Sequence, residues 1–206
     1  GLSTLIANFQ VFVMAAAGIA ILREPPTARQ LVAIPLALFG LALIVGVDWQ
    51  ALAAEYRRGI LFGLAAAVTY AGYLLSMRHS RRESTNRVPS REIAIVSLAG
   101  AAMLGATALA EGESLALSQG GDVIWLVCYG VLSHGVGMLF ITSSLPHVTT
   151  TQAGLALLLQ PTLSFAWDVL FFDRSLTLTE LGGAAIALFA IYLGSKARSE
   201  QLQRAR

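Results

Sequence analysis

Residues 30–47 read QLVAIPLALFGLALIVGV, eighteen positions without one charge. A helical crossing of the bilayer core takes about 20 predominantly apolar residues, so this run decides the fold class. It is flanked by Arg29 on one side and Asp48 on the other, and the same pattern recurs along the chain. Seven apolar stretches of near-spanning length alternate with short charged segments: Leu2–Leu22, Gln30–Val47, Gly59–Met77, Ile93–Ala110, Val123–Leu145, Val148–Trp167 and Leu181–Ser195. They are called spans one to seven. Composition agrees, with 56% apolar and 13% charged residues over 206 positions. An average soluble domain is about a quarter charged. The expectation is an all-α membrane protein with seven transmembrane helices.

Sidedness follows from the basic residues, thirteen of fourteen of which are Arg. That bias fits a GC-rich bacterial genome and the bacterial cytoplasmic (inner) membrane. Five Arg fall in the stretch Arg78–Arg91, and four basic residues (Lys196, Arg198, Arg204 and Arg206) follow span seven. Both segments belong on the cytoplasmic side under the positive-inside bias. Alternation then puts Arg23 and Arg29 inside as well, leaving only Arg57, Arg58 and Arg174 outside. The C-terminus is cytoplasmic and the first residue of the chain external. Span one lacks a basic leader and is followed at once by span two, which reads as a membrane span rather than a signal peptide. Because the chain opens at Gly1 rather than Met, it reads as part of a longer protein. Cys128, the single cysteine, lies within span five and offers no disulfide. The net charge of +2 sits beside the spans, so no nucleic-acid partner is expected.

A repeat is visible. Spans one and two are joined by Leu22-Arg-Glu-Pro-Pro-Thr27, and spans six and seven by Phe172-Asp-Arg-Ser-Leu-Thr177. Each corner carries an acid (Glu24, Asp173) and then a Thr three residues before Gln30 or Glu180. Thr-x-x-Gln/Glu before an apolar run is a capping box, in which the two side chains satisfy free N–H groups at a helix start. Glu180 is thereby a cap rather than a buried charge. From Thr27 onward an offset of 150 matches six of 17 positions, Ala37-Leu38-Phe39 against Ala187-Leu188-Phe189 among them. The two hairpins have opposite orientation, and inverted repeats are the signature of secondary transporters, whose site lies near the midplane between the halves.

Pro161, Asp173 and Gly182-Gly183 form a pattern of mid-span proline, an acid twelve residues on, and a Gly-rich next helix. With Glu24 and the Gly-containing span two as an earlier copy, the chain resembles the EamA-like family of the drug/metabolite transporters. The departure is Phe12, where the first copy often has Pro. The resemblance implies a ten-helix fold of two inverted five-helix repeats. On that scheme residues 1–58 hold the last two helices of the first repeat and an outer loop. Residues 59–206 hold the second five-helix repeat and the basic tail, and about three helices precede the chain. It also implies a carrier, with export as the direction, for amino acids, related metabolites or drug-like compounds, working by alternating access.

The polar residues at mid-depth mark a cavity. They are Asn8 and Gln10 in span one, Thr69, Tyr70 and Tyr73 in span three, Ser133 and His134 in span five, and Gln160, Pro161 and Ser164 in span six. Polar side chains are unfavourable against lipid unless they face protein or water, so spans one, three, five and six should share an interior. Spans two and seven, with Leu38-Phe39 and Leu188-Phe189 at that depth, should meet lipid or a partner subunit of a homodimer. Each polar residue also has a packing role open to it. His134, eleven residues from either end of its span, is either a helix–helix hydrogen bond or a substrate or proton contact. Asp168, about 6 Å from the end of its helix, either pairs with Arg174 or couples protons to transport, as His134 could. Gln160, Ser164 and Asp168 follow i+4 spacing on one side of span six. Pro161 removes the hydrogen bond to the Leu157 carbonyl and should loosen that turn.

No cofactor, metal or catalytic residue is implied. A retinal protein needs a lysine within its last helix, and Lys196 lies at the edge. The motifs of intramembrane proteases are absent from the spans. A seven-helix receptor or another non-transport membrane protein is the alternative on helix count. The lack of a deep Arg or Lys disfavours strongly anionic substrates. Topology is testable with single cysteines on a Cys128→Ser background. An impermeant reagent should label positions in the 78–91 and 111–122 stretches from opposite sides, and labelling of both from one side would refute the inverted arrangement.

Overall fold

The computed structural model describes residues 2–46, 57–83, 89–114, 116, 120–172 and 174–204. Asp173, Arg87 and the side chains of the basic tail after Lys196 lie outside the described residues. The described residues form helices joined by short turns. The helices are α1 (Leu2–Ala7), α2 (Gln10–Ala20), α3 (Ala28–Val45), α4 (Arg57–Glu83), α5 (Pro89–Ala110) and α6 (Gly120–Cys128). A π-helix at Tyr129–Val136 then leads into α7 (Gly137–Ser144) and a 3-10 turn at Leu145–His147. Three more follow: α8 (Thr150–Leu157), α9 (Leu159–Phe171) and α10 (Leu178–Arg204). Six stretches are long and apolar enough to cross a membrane, and the shorter apolar helix Leu5–Ala20 corresponds to span one. Their outer surfaces carry large exposed apolar side chains, for instance Leu104 at 73% and Trp125 at 76% exposure. Water would not tolerate so much contiguous apolar surface, whereas lipid does. The chain is an all-α integral membrane protein.

It divides into two compact units, Gly1–Leu75 with Val148–Arg206, and Ser76–His147. The first unit is built on the α3–α10 pair. Gly40 and Gly183 face each other so closely that a Cβ on Gly40 would lie 2.6 Å from the Gly183 carbonyl oxygen, and one on Gly183 would lie 2.6 Å from that of Gly40. Such small-residue contacts let helix backbones approach where no hydrophobic effect drives association. Val11, Ala15, Ala33, Ile34, Ala37, Leu38, Leu155, Leu158, Ala190 and Ile191 close the core around this seam. Leu38 is therefore buried in the seam rather than turned to lipid, a correction to the peripheral placement read from the sequence, while Leu188 is exposed. Mid-depth hydrophobicity identifies an apolar neighbour but cannot tell a helix from a lipid tail.

Capping fixes the helix starts. Thr27 Oγ1 accepts from Gln30 N–H at 3.3 Å and Gln30 Oε1 accepts from Thr27 N–H at 2.9 Å. Thr177 and Glu180 make the same box at 3.2 and 2.9 Å. A third box, Thr149 with Gln152, starts α8 at 3.3 and 3.2 Å. Each N-cap is worth about 1 kcal/mol. The glutamines have second tasks: Gln30 Nε2 donates to the Gly194 carbonyl at 3.4 Å and Gln152 Nε2 to that of Ser195 at 3.1 Å. Glu24 Oε2 accepts from the Thr150 N–H at 3.2 Å, tying the corner after α2 to the start of α8. At that junction Gly18 lies against Thr150 Oγ1, where a Cβ would collide. The other end of α3 closes on Gly46, whose φ of 64° is the left-handed conformation that glycine adopts without strain.

In the second unit, Arg78 lies inside α4 rather than in a loop, 2% exposed, and its Nε donates to the Leu145 carbonyl at 3.1 Å. The helix continues past the apolar run because this buried hydrogen bond and the adjacent polar contacts, including Ser80 Oγ to Glu92 Oε1 at 2.8 Å, reward it. The π-helix is a second departure from the sequence expectation of one regular span. Its wider turns run past Gly130 and Gly135, where a Cβ on the latter would sit 3.5 Å from the former's carbonyl.

The seam makes a direct prediction. Gly183→Ala should lower stability by about 1–3 kcal/mol through overpacking against backbone. Gly105→Ala, at a position inside α5 with nothing within 4 Å, should not lower it, since Ala is the better helix former. Thermal melts of both variants in the same detergent check the contrast.

Candidate functional site

Where the sequence leads one to expect an unbroken span one, the structure breaks it. α1 stops at Ala7, Asn8 and Phe9 form a turn, and α2 begins at Gln10. Across the turn the Phe9 N–H bonds to Ile6 O at 3.0 Å and Val11 N–H to Asn8 O at 3.2 Å, three-residue steps in place of four-residue ones. Span six breaks likewise at Leu158, whose N–H reaches back three residues to Leu155 O at 3.1 Å. Pro161 thus stands in the first turn of α9, where its missing N–H is tolerated, rather than in the middle of a strained helix. Pro161 marks this turn in the sequence, whereas the first break has neither Pro nor Gly. Asn8 is the only local cue, because a short amide side chain can divert backbone hydrogen bonding.

The two breaks stand in register. Asn8 and Leu158 are 150 positions apart, as are Gln10 and Gln160, the offset that aligns the capping boxes. Both breaks border one cavity of about 500 Å³, whose wall comes from Ala7, Asn8 and Gln10, from Ala66 and Tyr70 on α4, and from Gln160, Pro161 and Ser164 on α9. Asn8 and Gln10 are buried from the surface, Tyr70 is half-buried, and Gln160 and Ser164 are exposed. Among the described residues every polar side chain in the wall is uncharged: three amides and two hydroxyls. Such a surface can exchange hydrogen bonds with a ligand or with water without the desolvation cost of an ion.

A second cavity of about 410 Å³ adjoins the other side of the same helix face. It shares Pro161 and Ser164 and adds Leu41, Ile44, Val45, Phe165, Asp168 and Arg174. Arg174 binds Glu180 at 2.7 Å and Asp168 at 3.6 Å, and its guanidinium carbon stands 5.1 Å from the centre of the Phe165 ring.

Of the residues singled out in the sequence, Asn8, Gln10, Tyr70, Gln160, Pro161 and Ser164 line the first cavity. Tyr73 stacks on Tyr70 with ring centres 6.2 Å apart, one step outside that wall. Thr69 spends its hydroxyl on its own helix, bonding Ala65 O at 2.9 Å and Ala66 O at 3.0 Å. Ser133 and His134 belong to the second unit, on the π-helix. His134 Nε2 is 2.8 Å from Ser97 Oγ, and Ser97 donates its one hydroxyl proton to Ile93 O at 2.7 Å. The hydroxyl is left to accept, so Nε2 carries the proton. This bond supplies the helix–helix packing role for His134.

Residues 57–195 match the model of the EamA-like transporter family. The chain belongs to that family. A curated relative from Archaeoglobus fulgidus, named only as an uncharacterized transporter, is 26% identical over 171 residues, covering 82% of this chain and 58% of its own length. The chain therefore spans less than two thirds of that relative. No solved structure matches it.

Pro161→Ala should restore an N–H donor to the Leu157 carbonyl and draw α8 and α9 into one helix. The expected outcome is an unchanged or higher melting temperature together with slower substrate flux in full-length protein. A variant that transports at the wild-type rate would show the break to be incidental.

Proposed function

We propose that this EamA-like transporter chain carries most of the wall of a secondary transporter that moves a small metabolite, amino acid or drug-like compound by alternating access, in the export direction. The observation that supports it most is the meeting of two helix breaks, 150 residues apart, at a cavity walled by uncharged polar groups. Discontinuous helices at a repeat interface are where carriers of this kind hold substrate. In the proposed scheme residues 1–58 end the first five-helix repeat and residues 59–206 form the second, and the preceding helices complete the cavity. The basic segments favour a bacterial inner membrane with the C-terminus on its cytoplasmic side. Asp168, at the cavity's charged neighbour, is the favoured proton-coupling group, with His134 second because its Nε2 is committed to Ser97. The exposed faces of α3 and α10, with Phe39 and Leu188, are available to lipid or to a second copy in a homodimer.

The wall makes a ranking. In the full-length protein, Gln160→Ala and Gln10→Ala should each lower substrate flux about tenfold, the loss of one or two hydrogen bonds of about 1 kcal/mol. Leu188→Ala should change it less than twofold. Flux into proteoliposomes at matched protein content measures this, and the opposite ranking would overturn the cavity assignment.

A further inference from the structure

The second cavity differs from the first in holding ions, and those ions are unevenly satisfied. Glu180 is saturated: its Oε2 accepts from the Thr177 N–H at 2.9 Å and hydroxyl at 2.8 Å, and its Oε1 from Arg174 Nη2 at 2.7 Å. Arg174 is committed to Glu180 and rests on the Phe165 ring. Asp168, half-exposed, has only the longer 3.6 Å contact to the same guanidinium among the described residues. Two carboxylates share one cation there, and the carboxylate that lines the cavity is the poorly served one. Charge balance therefore favours one more cation beside Asp168.

The rest of the wall selects the kind of cation. Leu41, Ile44 and Phe165 form a buried apolar cluster, 1%, 4% and 6% exposed, and Ser164 supplies one hydroxyl. A hard divalent cation such as calcium or magnesium wants six or more oxygen ligands, and among the described residues no group of three acidic, His or Cys side chains that could hold any metal stands together. An organic cation with an apolar body fits better, its ammonium on Asp168 and Ser164 and its carbon skeleton on the aliphatic wall. We propose that the cavity beside Asp168 is a binding station for substrates carrying an ammonium group, in which the substrate's nitrogen takes the place that Arg174 fills weakly. This rests on the transport reading, since Pro161 and Ser164 join the station to the first cavity.

The test is a calorimetric titration of the full chain in lipid nanodiscs with three probes of one skeleton: phenethylammonium, phenethyl alcohol and phenylacetate. Empty nanodiscs correct for partition into lipid. Phenethylammonium should bind at least tenfold more tightly than either companion. Asp168→Asn should reduce it to the level of the alcohol, Asp168→Glu should keep the preference, and Arg174→Gln should strengthen it by removing the internal competitor. The proposal is overturned if phenylacetate is preferred, if Asp168→Asn leaves the ratio unchanged, or if a well-folded Arg174→Gln weakens ammonium binding. If Asp168→Asn fails to fold, loss of the preference in folded Asp168→Glu overturns it instead. Flux is measured separately. Absent flux with the preference intact would count against transport alone, and flux of other compounds without the preference would count against the station alone.

Discussion

A bilayer core offers the peptide group no water, so every backbone donor and acceptor must find a partner within the protein or line a wet cavity. This constraint governs the rest of the structure. It makes each crossing helical and favours capped helix starts, as at Thr27, Thr149 and Thr177. It also permits an interrupted helix only where the freed groups have somewhere to go. The breaks at Asn8–Phe9 and Leu158 agree with it, because residues at or beside each, Asn8 and Gln10 at one and Gln160 and Pro161 at the other, line the same cavity. The irregular backbone and the polar side chains are thus two consequences of one requirement. Amides and hydroxyls gather where the wall must tolerate water, and the interrupted turns sit among them.

The seam of α3 and α10 makes the interruptions affordable in structural terms. With glycines in contact at 40 and 183, these two helices run continuously and pack backbone to backbone. α2 and α8 lie beside them, with Val11, Leu155 and Leu158 in the shared core. Each broken helix therefore has an unbroken one behind it. Gln30 and Gln152 extend this support by binding the carbonyls of Gly194 and Ser195, near the end of the apolar part of α10. One end of the unit is held by neutral hydrogen bonds and the Glu24 cap, and the other by the Arg174 ion pairs.

What the sequence made legible was what local chemistry decides. Span lengths follow from runs of uncharged residues, and Thr-x-x-Gln or Thr-x-x-Glu announces a cap without any knowledge of the neighbours. The Thr149–Gln152 box carries the same signal, one residue inside the apolar stretch that begins at Val148. Pro161 located one break. The other was not legible, since Asn8 sits in an apolar run with neither Pro nor Gly, and only its equivalence to Leu158 at the 150-residue offset gives it meaning. The π-helix at Tyr129–Val136 and the burial of Leu38 were likewise hidden, because both depend on what packs alongside. Of the residues expected at a cavity, Asn8, Gln10, Tyr70, Gln160, Pro161 and Ser164 border one space. Thr69 does not serve the wall, because a hydroxyl on a helix can be satisfied by its own preceding turn.

The repeat is most informative where its copies differ. Thr27 and Thr177 cap equivalent helices, yet the partner is Gln30 in one copy and Glu180 in the other. Either side chain can accept from the N-cap N–H, so capping alone does not choose between them. Their second contacts do. The amide of Gln30 has a donor to spare and uses it on a carbonyl near the far end of α10. A carboxylate has none, and Glu180 instead draws in the guanidinium of Arg174. Once Arg174 is drawn to Glu180, Asp168 is left with a long and shared contact. A single exchange of amide for carboxylate thus converts a neutral tie between helices into a charged corner. The charge of that corner is carried by the residue facing the cavity.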